Sequence, residues 1–282
     1  MLYRNSIGAI ALATAMIVGA AGAQAHDEKK YPDFGGQWKR PPGIGNQYDI
    51  SRPQRLGQVP PLTKEYQLIW EEGLQDQNLG GQGTDPTFSC IPDGMPRAMN
   101  VIFPMQIIIE PEMTIILIEY LTMQRRIFTD GREFPKDDEF EPSFMGYSIG
   151  KWVDEDGDGK YDVLEVETRL LKHPRSYDAS GIPFHEDGKT VVKERIYLDK
   201  ADKNILHDDI TTYDNALTRP WSSNKRYVRE ARKPVWVEAS CPEGNPYIKI
   251  EDQIYMRSSE GKLLPAKKGQ RPPDLSHFRA ER

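Results

Sequence analysis

Between Val101 and Ser240 the chain is written almost entirely in period two. Nine segments, at roughly residues 101–110, 113–120, 124–128, 144–153, 161–171, 190–198, 205–212, 223–229 and 235–240, alternate apolar with polar residues or concentrate β-branched and aromatic ones. That is the signature of half-buried strands. Short polar turns separate them, among them Glu110-Pro111-Glu112 and Thr129-Asp130-Gly131-Arg132. Eight or nine such strands in succession predict a mainly β protein, an antiparallel meander barrel of the lipocalin or calycin kind, with a β-sandwich as the alternative architecture. At about eight strands a barrel is wide enough to hold one small ligand.

The flanks of this region read differently. Residues 31–62 are rich in Pro, Gly and Gln around Trp38 and predict an extended lead-in segment. Thr63 is a helix N-cap candidate, and Tyr66, Ile69, Trp70 and Leu74 follow at helical spacing, which predicts one helix to about Asn78. The division expected is a lead-in with its helix over 26–89, a barrel over 90–260 and a basic, flexible tail over 261–282. At the N-terminus, Arg4, an apolar run from Ile7 to Ala21, and Ala23-Gln24-Ala25 have the order of a secretory signal peptide, so residues 1–25 are expected to be removed on export to the periplasm or beyond. The run is short of the roughly 20 residues a spanning helix needs, and no membrane span is expected in the mature chain.

Composition narrows the partners. The net charge is −6 and becomes one unit more negative when Arg4 leaves, which argues against nucleic acid as a partner because that calls for a basic patch. Two cysteines, Cys90 and Cys241, in an exported chain predict a disulfide. No C-x-x-C spacing points to a metal or redox pair instead.

The run from Asp154 to Glu165 fits the calcium-loop pattern D-x-[DN]-x-[DN]-G-x5-E in full. Its flanks alternate like strands and not like helices, so an EF-hand is excluded and a calcium-loaded hairpin is the expectation. The ligands are Asp154, Asp156, Asp158, the Lys160 main-chain carbonyl and Asp162, an oxygen-rich shell suited to a hard cation. This spacing, followed at once by a strand, resembles the calcium loops of FG-GAP and integrin-type repeats, and the role it implies is structural. The bland alternative is a solvated Asp/Gly turn.

Other constellations are weaker. Gly146-Tyr147-Ser148-Ile149-Gly150 matches G-x-S-x-G, but a nucleophile elbow needs a strand-to-helix turn, and here a strand continues through Trp152. Several strands place a charged residue among apolar neighbours, as Glu194 between Val192 and Ile196. An acid paired there with Arg126 or Arg195 of a neighbouring strand is the arrangement that tunes pKa values in a pocket. Aromatic residues Trp38, Trp152, Tyr197, Trp221 and Trp236 are expected to supply the core, and Arg219, two residues before Trp221, is a candidate for an anionic group. The pocket proposed from sequence is lined by Tyr120, Arg126, His185, Glu194, Arg219 and Trp221, with a small, partly apolar molecule as ligand. A noncatalytic, calcium-stabilised interaction module is the alternative.

Six patterns recur together: Asp33-Phe34-Gly35-Gly36-Gln37-Trp38; Cys90-x-Pro92-x-Gly94-Met95-Pro96-Arg97; Arg125-Arg126-Ile127-Phe128-Thr129-Asp130-Gly131-Arg132; Gly146-x-Ser148-x-Gly150-x-Trp152; Glu194-Arg195; and Arg219-Pro220-Trp221. This combination resembles a family of secreted, uncharacterised bacterial β-rich proteins, over most of the mature chain. The resemblance implies export and a shared β fold and carries no activity with it. The chain departs from that pattern in the long acidic loop after Trp152 and in Phe184-His185-Glu186, where a histidine followed by serine is the usual form.

Overall fold

Alternation in sequence becomes alternation of direction around a closed barrel. In the computed structural model, which describes residues 27–45, 47–100, 102–136, 139–233, 235–238, 240–241 and 245–274, nine strands close in sequence order. They are β1 (Trp38–Lys39), β2 (Met105–Glu110), β3 (Met113–Ile118), β4 (Met123–Phe128), β5 (Tyr147–Val153), β6 (Val163–Arg169), β7 (Val191–Leu198), β8 (Ile205–Tyr213) and β9 (Trp221–Arg229). The residues buried on β7 are Val192, Glu194, Ile196 and Leu198, and on β8 Leu206, Asp208, Ile210 and Thr212. Each set has the period of two that a pleated strand imposes. The segment expected to be a leader, residues 1–25, lies outside the described residues.

The barrel is mixed and not wholly antiparallel. Strands β4 and β5 run parallel, joined through only two registered pairs, Ile127 with Ser148 and Phe128 with Ile149. Parallel neighbours require a connection that returns the chain to its starting end, and the described residues between Phe128 and Tyr147 lie outside any strand. Two glycines fit this seam. Gly146 holds φ at +68°, and a Cβ there would stand 2.6 Å from the Arg169 carbonyl oxygen; a Cβ at Gly150 would stand 2.6 Å from Ile127 Cγ2 across the seam. The G-x-S-x-G pattern is thus explained by backbone geometry, with Ser148 in mid-strand.

The ninth barrel strand is β1, which pairs Trp38 with Met105 on one side and with Arg229 on the other. The expected strand at residues 235–240 does not form among the described residues: the Val235 main chain bonds the Gln37 side chain on both its N–H and its carbonyl. Trp236, expected in the core, is exposed. A separate three-stranded sheet follows, β10 (Tyr247–Ile250), β11 (Gln253–Arg257) and β12 (Leu263–Pro265). Cys90 and Cys241 form a disulfide, with Cα atoms 5.6 Å apart, that ties this C-terminal portion to the start of the barrel region.

Both ends of the barrel are plugged. The helix α1 (Lys64–Asn78) has Thr63 as its N-cap and buries Trp70 and Leu74, one turn apart, while Ile69 is turned outward. Trp70 Nε1 donates to the Ser180 carbonyl, and this face joins Tyr48, Tyr177, Ile182, Phe184, Leu217 and Trp221 in a core at the end where β6 meets β7 and β8 meets β9. At the opposite end Trp152 packs against Tyr31, Phe34 and Tyr161, with ring centroids 5.2, 5.7 and 6.1 Å away. No helix of the described residues is long and apolar enough to cross a membrane.

Candidate functional site

The middle of the barrel is ionic. On β4 the parity of Met123, Arg125 and Ile127 points Arg125 inward, and its side chain is 1% exposed. Its guanidinium grips Glu194 of β7 with two donors, Nη1 to Oε1 at 2.8 Å and Nη2 to Oε2. Nη2 also donates to Thr168 Oγ1 at 3.0 Å, and Thr168 bonds Ser148 at 2.8 Å. A bidentate pair backed by two hydroxyls leaves neither charge uncompensated, which is the condition for keeping such a pair in a dry interior.

Beside it sits a pair that is not satisfied in this way. Asp208 of β8 is in register with Lys225 of β9, and both are buried. Lys225 Nζ donates to the Tyr48 main-chain oxygen and stands 3.7 Å from the centre of the Tyr48 ring. Neither carboxylate oxygen of Asp208 has a hydrogen-bond partner among the described residues. Burial, reinforced by Glu194, pushes the Asp208 carboxyl well above the usual carboxylate range, against the pull of Arg125 and Lys225. Burial, reinforced by Arg40, pushes the Lys225 ammonium well below the usual lysine range. Both groups are therefore held towards their neutral forms.

The outer wall of the barrel carries a cleft over this network. Because β4 and β5 pair through only two residues, a cleft of about 260 Å³ opens beside the seam. Arg125 and Ser148 line it together with Gln124, Arg126, Ser143 and Gly146. Phe128, Phe140, Met145 and Tyr147 supply apolar walls, with Tyr147 5.1 Å from Phe128 and 5.0 Å from Phe140 between ring centroids. The cleft can therefore take an apolar body against aromatic rings, with the outward Arg126 on its wall and the buried Arg125 and Ser148 as a closed floor.

The six pocket residues read from sequence do not converge. Glu194 lies inside, at the centre of the ionic network. Arg126 faces outward, one residue from the inward Arg125, and lines the seam cleft. Trp221 is buried at the α1 end between Tyr48 and Tyr177, at 4.5 and 5.0 Å. His185 is partly exposed there, its ring 5.4 Å from Tyr66, with Nδ1 accepting from the Asp187 N–H. Arg219 is exposed, and Tyr120 stacks on Phe103 at 5.1 Å. No hydrogen bond or ring contact joins any two of the six among the described residues. Arg125, Asp208 and Lys225 were missed although the signal exists: each shares its parity with buried neighbours, Met123 and Ile127, Leu206 and Ile210, Ser223 and Tyr227.

In the β5–β6 loop, Asp154, Asp156 and Asp162 each offer a carboxylate oxygen, all within 4.8 Å of one another, a group able to hold a metal ion. Asp158 turns instead to the Lys160 N–H at 2.8 Å, and Asp154 accepts from the N–H groups of Gly157 and Gly159. No protein-family model matches the chain, and no curated protein matches it.

Proposed function

We propose that the chain is an exported β-barrel protein that binds a small, partly apolar molecule in the cleft at the β4–β5 seam. The observation that carries this reading is the juxtaposition of four apolar wall residues with Arg126, over a floor of Arg125 and Ser148, in one cleft on the barrel wall. Small-molecule sites are concave, largely apolar and equipped with a few fixed polar groups. At about 260 Å³ the cleft is a little smaller than the roughly 300–1,000 Å³ of drug-sized sites, which limits the ligand to a small molecule. The disulfide is consistent with export, since such bridges persist in oxidising compartments. Periplasmic or secreted location and kinship with the secreted β-rich family belong to the same proposal.

A structural calcium ion in the β5–β6 loop completes it. Support comes from the three clustered carboxylates, and the loop pattern in the sequence offers Asp158 and the Lys160 carbonyl as further oxygens for a hard cation. The competing reading, a noncatalytic calcium-stabilised interaction module, is favoured by one feature, the exposed run Val235-Trp236-Val237.

Native mass spectrometry of protein purified from its own cells separates the two. A retained small molecule that disappears in Met145→Trp, which fills the cleft, is the outcome of the first reading. Absence of any retained or added small molecule from the wild type rejects it.

A further inference from the structure

The charge around the seam cleft is lopsided. Of the described residues that line it, the ionised ones are both guanidiniums, Arg125 and Arg126. Glu194 neutralises Arg125 at close range, so Arg125 contributes a fixed shape more than a free charge. Arg126 makes no hydrogen bond or ion pair with any described residue. The neighbouring cations are engaged: Arg132 is clamped on Asp130 and lies 3.8 Å over the Phe128 ring, and Arg169 is held by Glu167. On the acidic side, Glu139 and Glu141 flank Phe140 in sequence; neither lines the cleft, and Glu139 accepts from the Lys136 N–H.

A guanidinium presents a planar fork that matches a carboxylate in a bidentate way, and an aromatic wall favours a flat partner. We infer that the ligand of the seam cleft is a small planar carboxylate of one or two rings, its anion taken by Arg126 at the rim and its ring system lying against Phe140, Met145 and Tyr147. This assignment of ligand class rests on the seam cleft being the binding site. Arg125, locked by Glu194, Thr168 and Ser148, shapes the floor and excludes deeper entry.

Three probes of one shape test the charge: 2-naphthoate, 2-naphthalenemethanol and 2-naphthylmethylammonium, titrated calorimetrically into the full mature chain. Hydrogen bonds to a charged group predict naphthoate binding about 10-fold or more tighter than the neutral alcohol, with the ammonium weakest. Raising salt from about 20 to about 300 mM weakens naphthoate alone, because the guanidinium is exposed to screening. Arg126→Gln, an outward substitution, brings naphthoate to the level of the alcohol and leaves the alcohol unchanged. Met145→Trp abolishes both. If alcohol and naphthoate bind equally, or Arg126→Gln leaves naphthoate untouched, while Met145→Trp still blocks binding, the anion is wrong and the cleft stands. If no probe binds, or Met145→Trp has no effect on binding, the cleft reading fails and the ligand class with it.

Discussion

Asp208→Asn should change how the stability of this barrel depends on pH, more than it changes the stability itself. In the folded state burial pushes the Asp208 carboxyl well above, and the Lys225 ammonium well below, its ordinary range, so both are biased towards their neutral forms. In the unfolded chain Asp208 ionises above its ordinary value near 4 and Lys225 stays protonated below its ordinary value near 10.5. At any pH where the folded state keeps both groups neutral, the unfolded state has one proton fewer at Asp208 and one more at Lys225, so the two contributions to the pH slope cancel. The raised Asp208 value alone makes stability fall as pH rises above about 4; the depressed Lys225 value alone makes it rise up to about 10.5. Removing the carboxyl leaves the Lys225 term uncancelled. Relative to wild type, Asp208→Asn should become more stable with rising pH by up to about 1.4 kcal/mol per pH unit across the neutral range. Lys225→Met should show the opposite slope of similar size. Urea melts of the three proteins at several pH values from 5.5 to 8.5 supply the comparison. Parallel stability–pH curves for all three would mean that Asp208 and Lys225 remain a charged pair in the barrel, and the reasoning from burial would be refuted.

Glu194→Gln strands the buried Arg125 guanidinium and should cost about 3–5 kcal/mol, whereas the joint replacement Arg125→Met with Glu194→Leu should cost far less. At about 2–4 °C per kcal/mol for a chain of this size, the single substitution lowers the melting temperature by roughly 6–20 °C, and a drop of a degree or two would show that the pair is not the keystone of the interior. Calcium should raise the melting temperature, by an amount equivalent to about 2.7 kcal/mol at a hundredfold excess over its dissociation constant, and the rise should vanish in Asp156→Ala. Equal melting with calcium and with chelator identifies the loop as an ordinary acidic turn. Cys90→Ser removes the bridge that closes a separation of 151 residues, worth up to about 5 kcal/mol in the chain-entropy account, and should expose the segment after Cys241 to protease. An unchanged digestion pattern would show that the β10–β12 sheet is held without it.

Much of this fold was legible because most of its strands are long enough to show a period. The eight-residue β7 shows its inward face through Val192, Ile196 and Leu198, whereas β6 buries the adjacent Val163 and Leu164 and β8 sets Asp208 beside Asp209. The helix start at Thr63 was readable from its cap, though Ile69, which fits the helical spacing, faces out. The two-residue β1 carries no period, and only its pairing with β2 and β9 reveals it. Nothing local announces that β4 and β5 run parallel, since that depends on where residues 129–146 bring the chain back. The site suffered for the same reason. In Gln124-Arg125-Arg126-Ile127 two adjacent arginines compete for one inward position, and parity with Met123 and Ile127 decides for Arg125. Arg126 thereby becomes a residue of the outer cleft, a surface that exists only because the seam is short.

Methionine methyl NMR offers the most direct view of the seam cleft. Met145 lines it, whereas Met99 and Met105 are buried in the barrel core, do not line it and serve as internal references. With methyl-labelled methionine, addition of 2-naphthoate should displace the Met145 signal by ring current, saturably, and leave those of Met99 and Met105 in place. A Met145 signal that stays fixed while the probe binds, or one that shifts no more than the core methionines, would contradict a binding site at the seam.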